Sequence, residues 1–289
     1  MSSFLVGFLV LLLIYVLLAC SLSLLVGHTG IFSMAHAGIY GVGAYTSAIV
    51  TVRWEQPFWI GLLSALALGA LLSGLMALPS LRVSGDYFIV ASLGMQIVVE
   101  AVLRNSELTG GEAGFRGIQA PELLGITLRG ESYLVFVAAL VAVSVLVMLY
   151  VTRTPYGRVL HAIRDDQSVA LAVGKNVNAY KTSVTMLAGA FAGVAGSLYA
   201  HHITFLSPRT FNFSLSIYLF LLLLVGGKSR LGGVVLGTAA IVALPEVLER
   251  AFDIPPSAAG PAYQIIFGLL VIVLMFVRPQ GLLPTRGRT

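Results

Sequence analysis

The chain is 289 residues long and 58% hydrophobic, with 31 glycines and only 17 Lys and Arg against 12 Asp and Glu. A soluble domain typically has ~45–50% apolar and ~25% charged residues, so 10% charged and a mean hydropathy of +0.95 exclude a soluble enzyme of this length. Disordered, collagen-like and disulfide-scaffold classes fall too, the last because the one cysteine, Cys20, lies inside an apolar run. The remaining fold class is all-α, a single transmembrane domain over residues 1–289 with about nine (8–10) helical spans.

Apolar runs bounded by charge, Gly or Pro predict spans at 4–26, 34–52, 57–78, 87–104, 132–151, 182–204, 215–226, 231–248 and 262–278. The first has no basic n-region and no cleavage site, so it reads as a span rather than a signal peptide. From Gly27 to Tyr45 the chain is rich in glycine and small residues, which suits either a cytoplasmic turn or a helix broken inside the membrane. Small residues recur at four-residue spacing in later spans: Ala70 and Gly74, Gly189 and Gly193, the series Ala192, Gly196 and Ala200, and Gly233 and Gly237. Such spacing lets helices approach closely in lipid.

In the fourth span Ser92, Gln96, Glu100 and Arg104 fall four apart and share one helix face. An ionisable group facing lipid costs at least ~2.5–3.5 kcal/mol at the membrane centre, so this stripe should face protein or water. It predicts either a Glu100–Arg104 pair with Gln96 bound to a neighbouring helix, or one wall of a polar pathway with Glu100 at its outer mouth. The outer loop 105–131 carries Thr109, Gly110, Gly111 and Glu112 on an acidic, glycine-bearing stretch. It fits a docking surface for an extracytoplasmic protein as well as it fits a plain solvated loop.

The connection 152–181 is the longest on the opposite side. There Asp166 is placed to N-cap a short helix, Gln167–Val173, about 10 Å long, that stops at Gly174. Val169, Ala170, Leu171 and Val173 give it an apolar side among Arg158, Arg164 and Lys175. Such a helix either lies flat on lipid headgroups or docks in a groove on a cytosolic partner. With nine crossings, eleven of the 17 Lys and Arg gather on this side and six on the other, giving net charges of +8 and −3. The positive-inside rule makes the basic side, with the C-terminus, cytoplasmic. The pI of about 9.5 thus follows from topology and calls for no nucleic-acid partner.

Catalytic signatures fail. Gly227-Lys228-Ser229 resembles the end of a phosphate-binding loop, but the glycine required five residues before Gly227 is Leu222. His201 and His202, adjacent on a helix, cannot face one point, and no carboxylate or cysteine stands at ligand spacing, so no metal or other cofactor is expected. His28 and His36 read as hydrogen-bonded groups.

The order of features then resembles a known family. Gly27 to Tyr45 (GHTGIFSMAHAGIYGVGAY), Leu81 to Phe88 (LRVSGDYF), Leu108 to Gly111 (LTGG), Arg153 to Arg158 (RTPYGR), Ala162 to Asp166 (AIRDD), Gly174 with Tyr180 and Lys181, the small-residue helix Ala188 to Ala200 and the stretch Gly226 to Pro245 look like the LivM-type permease of branched-chain amino acid ABC transporters. The resemblance implies that the 152–181 loop holds the coupling helix that meets the ATPase. The general importer pattern there is Glu-Ala-Ala, three residues, then Gly. This chain has Ser168, Val169 and Ala170, then Gly174, with acids just upstream at Asp165 and Asp166. Also implied are a LivH-type second permease, two ATP-binding cassette subunits, an extracytoplasmic solute-binding protein and a bacterial inner membrane. Relatives of this architecture carry branched-chain amino acids but also urea, amides and aromatic acids. The rival classes are an ion-coupled secondary transporter, for which Glu100 is the one acid clearly inside a span, and an intramembrane enzyme using His36, His201 or His202.

Overall fold

The computed structural model describes residues 2–78, 86–123, 126–227, 230–252 and 268–269. Its helices are α1 (Ser3–Thr29), α2 (His36–Val52), α3 (Phe58–Ala77), α4 (Asp86–Asn105), α5 (Glu131–Arg153), α6 (Pro155–Asp165), α7 (Gln167–Ala172), α8 (Val177–Ile203), α9 (Phe213–Gly226) and α10 (Leu231–Phe252). Among the described residues α1, α3, α4, α5 and α8 are each long and apolar enough to cross a membrane, while α2 and α9 have only 17 and 14 residues. Eight predicted spans thus have a helix. The ninth, 262–278, lies outside the described residues, as do Arg82 and most of the LRVSGDYF stretch.

The two ends of the bundle differ. One end gathers residues 53–57, the segment between α4 and α5, and the segment after α8: the Arg53 guanidinium donates to the Glu107 carbonyl at 2.8 Å, and Tyr133 Oη donates to the Leu198 carbonyl at 2.7 Å. The 105–131 segment is more ordered than its lack of periodicity suggests. It holds two 3-10 turns, a strand β1 (Phe115–Arg116) and a small antiparallel pair, β2 (Glu122–Leu123) with β3 (Ile126–Thr127). β1 pairs with β4 (Phe205–Leu206), beyond α8, so two loops distant in sequence close on each other. The opposite end holds α6 and α7. The 152–181 connection is therefore mostly helical, since α8 already begins at Val177.

α8 sits at the centre, packed on α1, α2 and α3. Its glycines make this possible: a Cβ on Gly43 of α2 would lie 2.5 Å from the Cα of Gly193, and Gly69 of α3 meets Gly189 equally closely. Gly196 abuts Tyr40 and Ala44, and Gly226 of α9 lies against Gly233 and Gly237 of α10. In lipid, where no hydrophobic force drives helices together, such backbone approach is a main source of packing energy. Outward faces are apolar. Leu63, Leu71 and Leu75 on α3, Ile97, Val98 and Val102 on α4, and Val143, Leu146 and Tyr150 on α5 are all exposed.

Candidate functional site: two broken helices and a helical bracket

The chain breaks α1 from α2 inside the bundle. Gly30 takes a left-handed conformation (φ 70°) and its N–H caps the Leu25 carbonyl. Residues 31–35 then run back inward without helix. His36 Nε2 donates to Ser21 Oγ at 2.8 Å, and the same hydroxyl donates to the Leu18 carbonyl. Ser21 lies eight residues, or about 12 Å, before the end of α1, so α2 starts that far inside. The sequence offered a cytoplasmic turn or a broken helix as alternatives; α1 ends at Thr29 and α2 begins at His36, beside Ser21 of α1. His28 and His36, eight apart in sequence, therefore share no helix face.

A second break follows α8. Thr204 takes φ 61°, β4 reaches the loop end, and a 3-10 turn at Pro208–Phe211 carries the chain back inward to α9. Phe211 is fully buried against Tyr40, Tyr45 and Tyr199. Non-helical backbone at membrane depth must have its polar groups satisfied by protein, and here side chains of α4 and α9 do so. Ser92 Oγ accepts from the Met34 N–H at 2.9 Å, Ser216 Oγ from Ala37 N–H at 3.4 Å, and Gln96 Oε1 from Gly38 N–H at 2.6 Å. Gln96 Nε2 then donates to the Phe211 carbonyl at 2.7 Å. Fully buried, Gln96 ties both breaks together.

The rest of that stripe is closer to the surface. Arg104 pairs with Glu100 at 3.0 Å, as the spacing anticipates, and extends to Glu112 at 3.5 Å, which also meets Arg209 at 3.6 Å. Thr109 is buried, its hydroxyl donating to the Leu103 carbonyl at 2.7 Å, and Gly110 and Gly111 both take positive φ in the turn it holds. Of these four loop residues only Glu112 has an exposed side chain. Nearby, His201 Nδ1 donates to the Gln119 carbonyl at 2.8 Å, which leaves Nε2 to accept from Ser47 at 3.2 Å. His202 stacks on Tyr133 instead, so the two rings diverge.

At the other end α6 and α7 form a bracket. Asp166 caps α7 as its spacing predicts, its carboxylate accepting from Ser168 N–H at 2.7 Å and Val169 N–H at 3.3 Å. The helix ends at Ala172, and Gly174 follows with φ 77°, a conformation that disfavours any side chain. The apolar residues of α7 do not form a single side. Ala170 turns inward onto Ile163 and Val177, whereas Val169, Leu171 and Val173 are 57%, 53% and 70% exposed.

α6 is absent from the sequence reading, although Pro155 at its first turn and the buried Gly157, Leu160 and Ile163 at three-residue spacing carry a helical signal. Its Tyr156 ring lies tilted against Tyr180, centroids 5.2 Å apart, and its hydroxyl bonds Ser183 at 2.7 Å. Its Arg164 donates to the Gly27 carbonyl at the end of α1. The buried Lys181 of α8 donates to Gln167 of α7 at 2.8 Å. His161 lies with its ring centroid 5.0 Å from that of His28. Burial first, then the nearby Arg164, holds the His161 imidazole below its usual pKa, against a smaller upward pull from Asp165.

Membrane-length apolar helices, small-residue seams, two internal breaks and a helical bracket at one end are the build of a multi-pass membrane protein. Comparisons with known proteins fix the family: the description "Branched-chain amino acid transport system / permease component" matches residues 4–276, and the chain belongs to that family. It is the permease subunit of an ABC importer. The high-affinity branched-chain amino acid transport system permease protein LivM of Salmonella typhimurium is 30% identical over 94% of this chain and 68% of its own length. The probable LivM of Methanocaldococcus jannaschii is 27% identical over 86% and 76%. The nucleoside ABC transporter permease protein NupC of Lactococcus lactis is 24% identical over 61% and 60%. A chain of PsaBC from Streptococcus pneumoniae, solved in complex with Fab, shares the fold with a TM-score of 0.53 at 14% identity, covering 97% of this chain and 93% of that one.

Proposed function

We propose that this chain is one of two permeases in an importer of branched-chain or other hydrophobic amino acids. Its partners are a LivH-type permease, two ATP-binding cassette subunits that carry the ATP sites, and an extracytoplasmic solute-binding protein. The α6–α7 end and the C-terminus face the cytoplasm of a bacterial inner membrane, supported by the basic surplus on that side. The substrate assignment leans on the 30% identity to LivM over most of the chain, against 24% over less of it to the nucleoside permease.

The observation that carries the mechanism is the exposure of three apolar residues, Val169, Leu171 and Val173, on a short helix tied to α8 through Lys181 and packed on α6. In this reading α7 seats in a groove of an ATPase subunit, with Asp165, Asp166 and Ser168 giving polar contacts at its start, Ala170 docking it inward and Gly174 ending it. Motion of the ATPase then passes through Lys181 to α8, and through α6 and Arg164 to the end of α1. Those are the two helices that lead into the breaks at 30–35 and 204–212. Displacing them works against the shared tie at Gln96, so the stripe Ser92, Gln96 and Glu100 borders the path the solute takes. At the far end the turn of Thr109, Gly110 and Gly111 presents Glu112 to the binding protein.

The complex reconstituted in proteoliposomes, with its own binding protein outside, should accumulate labelled leucine only with ATP on the ATPase side, and vanadate should stop it. Leucine uptake that persists without ATPase subunits would sink the coupling reading. Uptake of nucleosides or urea in place of leucine would move the substrate.

A further inference from the structure

A cavity of about 380 Å³ at the α6–α7 end plays no part in the mechanism above. It is lined by His28, Thr152, Arg153, His161, Arg230 and Gly232, among others, and none of its lining residues is acidic. Neither Arg153 nor Arg230 is paired with a carboxylate among the described residues. Two guanidiniums that meet no carboxylate among the described residues make a site for an oxyanion, because the planar fork of Arg matches phosphate geometry.

Its depth and flanks narrow the source. Arg153 is the last residue of α5, His28 the last but one of α1, and Gly232 the second of α10, so the cavity lies where membrane helices end and headgroups begin. α1 packs on both α5 and α10, and the cavity is lined from all three helices. On α5, Val143, Leu146 and Tyr150 are exposed at spacings of three and four and lead along one face to Arg153; on α10, Leu236 is exposed one turn beyond Gly232. An anion at this site therefore sits at the foot of an apolar stripe on α5, with Leu236 of α10 exposed beside it.

We propose that this pocket binds the phosphate-bearing headgroup of an anionic phospholipid, seated between α5 and α10 with its tails along their outer faces. Basic pockets between membrane helices are suited to such headgroups. The inference is independent of the docking role given to α7. Because His161 belongs to α6, a bound lipid also braces the bracket from the membrane side.

The test is native mass spectrometry of the full chain in a neutral detergent, titrated separately with dioleoylphosphatidylglycerol, dioleoylphosphatidylcholine and inorganic phosphate. Wild type should retain phosphatidylglycerol at about tenfold lower concentration than the Arg153→Gln/Arg230→Gln double variant, a difference of about 1.4 kcal/mol. Phosphatidylcholine should show no such difference, and Arg116→Gln, at the other end, should behave as wild type. Gly232→Leu provides a second route that leaves the charges alone. A Cβ there meets nothing within 4 Å, so the larger side chain is accommodated at the cavity wall without a clash and should weaken retention similarly. Equal retention by wild type and both variants would overturn the proposal. So would displacement of the lipid by millimolar inorganic phosphate, which would make the occupant a soluble anion.

Discussion

Gln96 is the residue on which the centre of the molecule turns. Its amide accepts from Gly38 N–H and donates to the Phe211 carbonyl, so it satisfies backbone groups from two breaks at once. Gln96→Leu leaves both groups buried and unpaired, at about 1–3 kcal/mol each. The expected result is a lowered thermal unfolding midpoint of the purified protein and loss of uptake. Ser92→Ala orphans only the Met34 N–H and should cost less. A Gln96→Leu protein as stable as wild type would mean that water or another side chain takes over these groups. That Ser92, Gln96, Glu100 and Arg104 share a face was legible in the sequence, because a four-residue spacing on a helix is local geometry. That the first two serve the backbone of other segments was not, since Gly38 and Phe211 come near only once the whole bundle has formed.

Among the elements, the α2–α3–α8 seam holds the bundle closed and the α6–α7 bracket braces one end of it. Gly193 has the backbones of α2 and α3 on either side, so Gly193→Val should prevent those helices from closing and leave little folded protein in the membrane, measured by detergent-resistant monodisperse yield. Gly174 differs, because its Cβ position is open and only its left-handed backbone resists a side chain. Gly174→Val should cost about 1–2 kcal/mol locally, keep normal membrane levels and lose most uptake. The cap of α7 was readable from Asp166 and Gly174 because caps are written within a few residues. α6 escaped because its apolar positions are few and sit in a charge-rich stretch, where a loop is the simpler reading. The split of α7 into an inward Ala170 and three outward apolar residues needed the docking partner, α6, to be known.

On the scale of the whole molecule, the charge pattern and the packing describe one machine. Among the described residues the bracket end holds Arg153, Arg158, Arg164, Lys175, Lys181 and Arg230; the opposite end carries the acidic loop and the Glu100–Arg104–Glu112–Arg209 network. Surface pairs of this kind contribute little stability singly, about 0–1 kcal/mol, so the network bears more on the shape of that end of the bundle than on the fold. Composition revealed a membrane bundle and its spans because lipid imposes long apolar runs. The two breaks were only half visible, since glycine-rich sequence suits both tight packing and broken helix.

On the proposed coupling, α7 receives the ATPase motion through Val169, Leu171 and Val173. The most direct measurement compares wild type with Val169→Asp/Leu171→Asp in the reconstituted importer, reading ATPase co-purification and ATP-driven leucine uptake together. Both changed residues are exposed, so the variant should reach the membrane at normal levels. The account predicts that it loses its ATPase subunits and its uptake; a variant that keeps both at wild-type levels would contradict it.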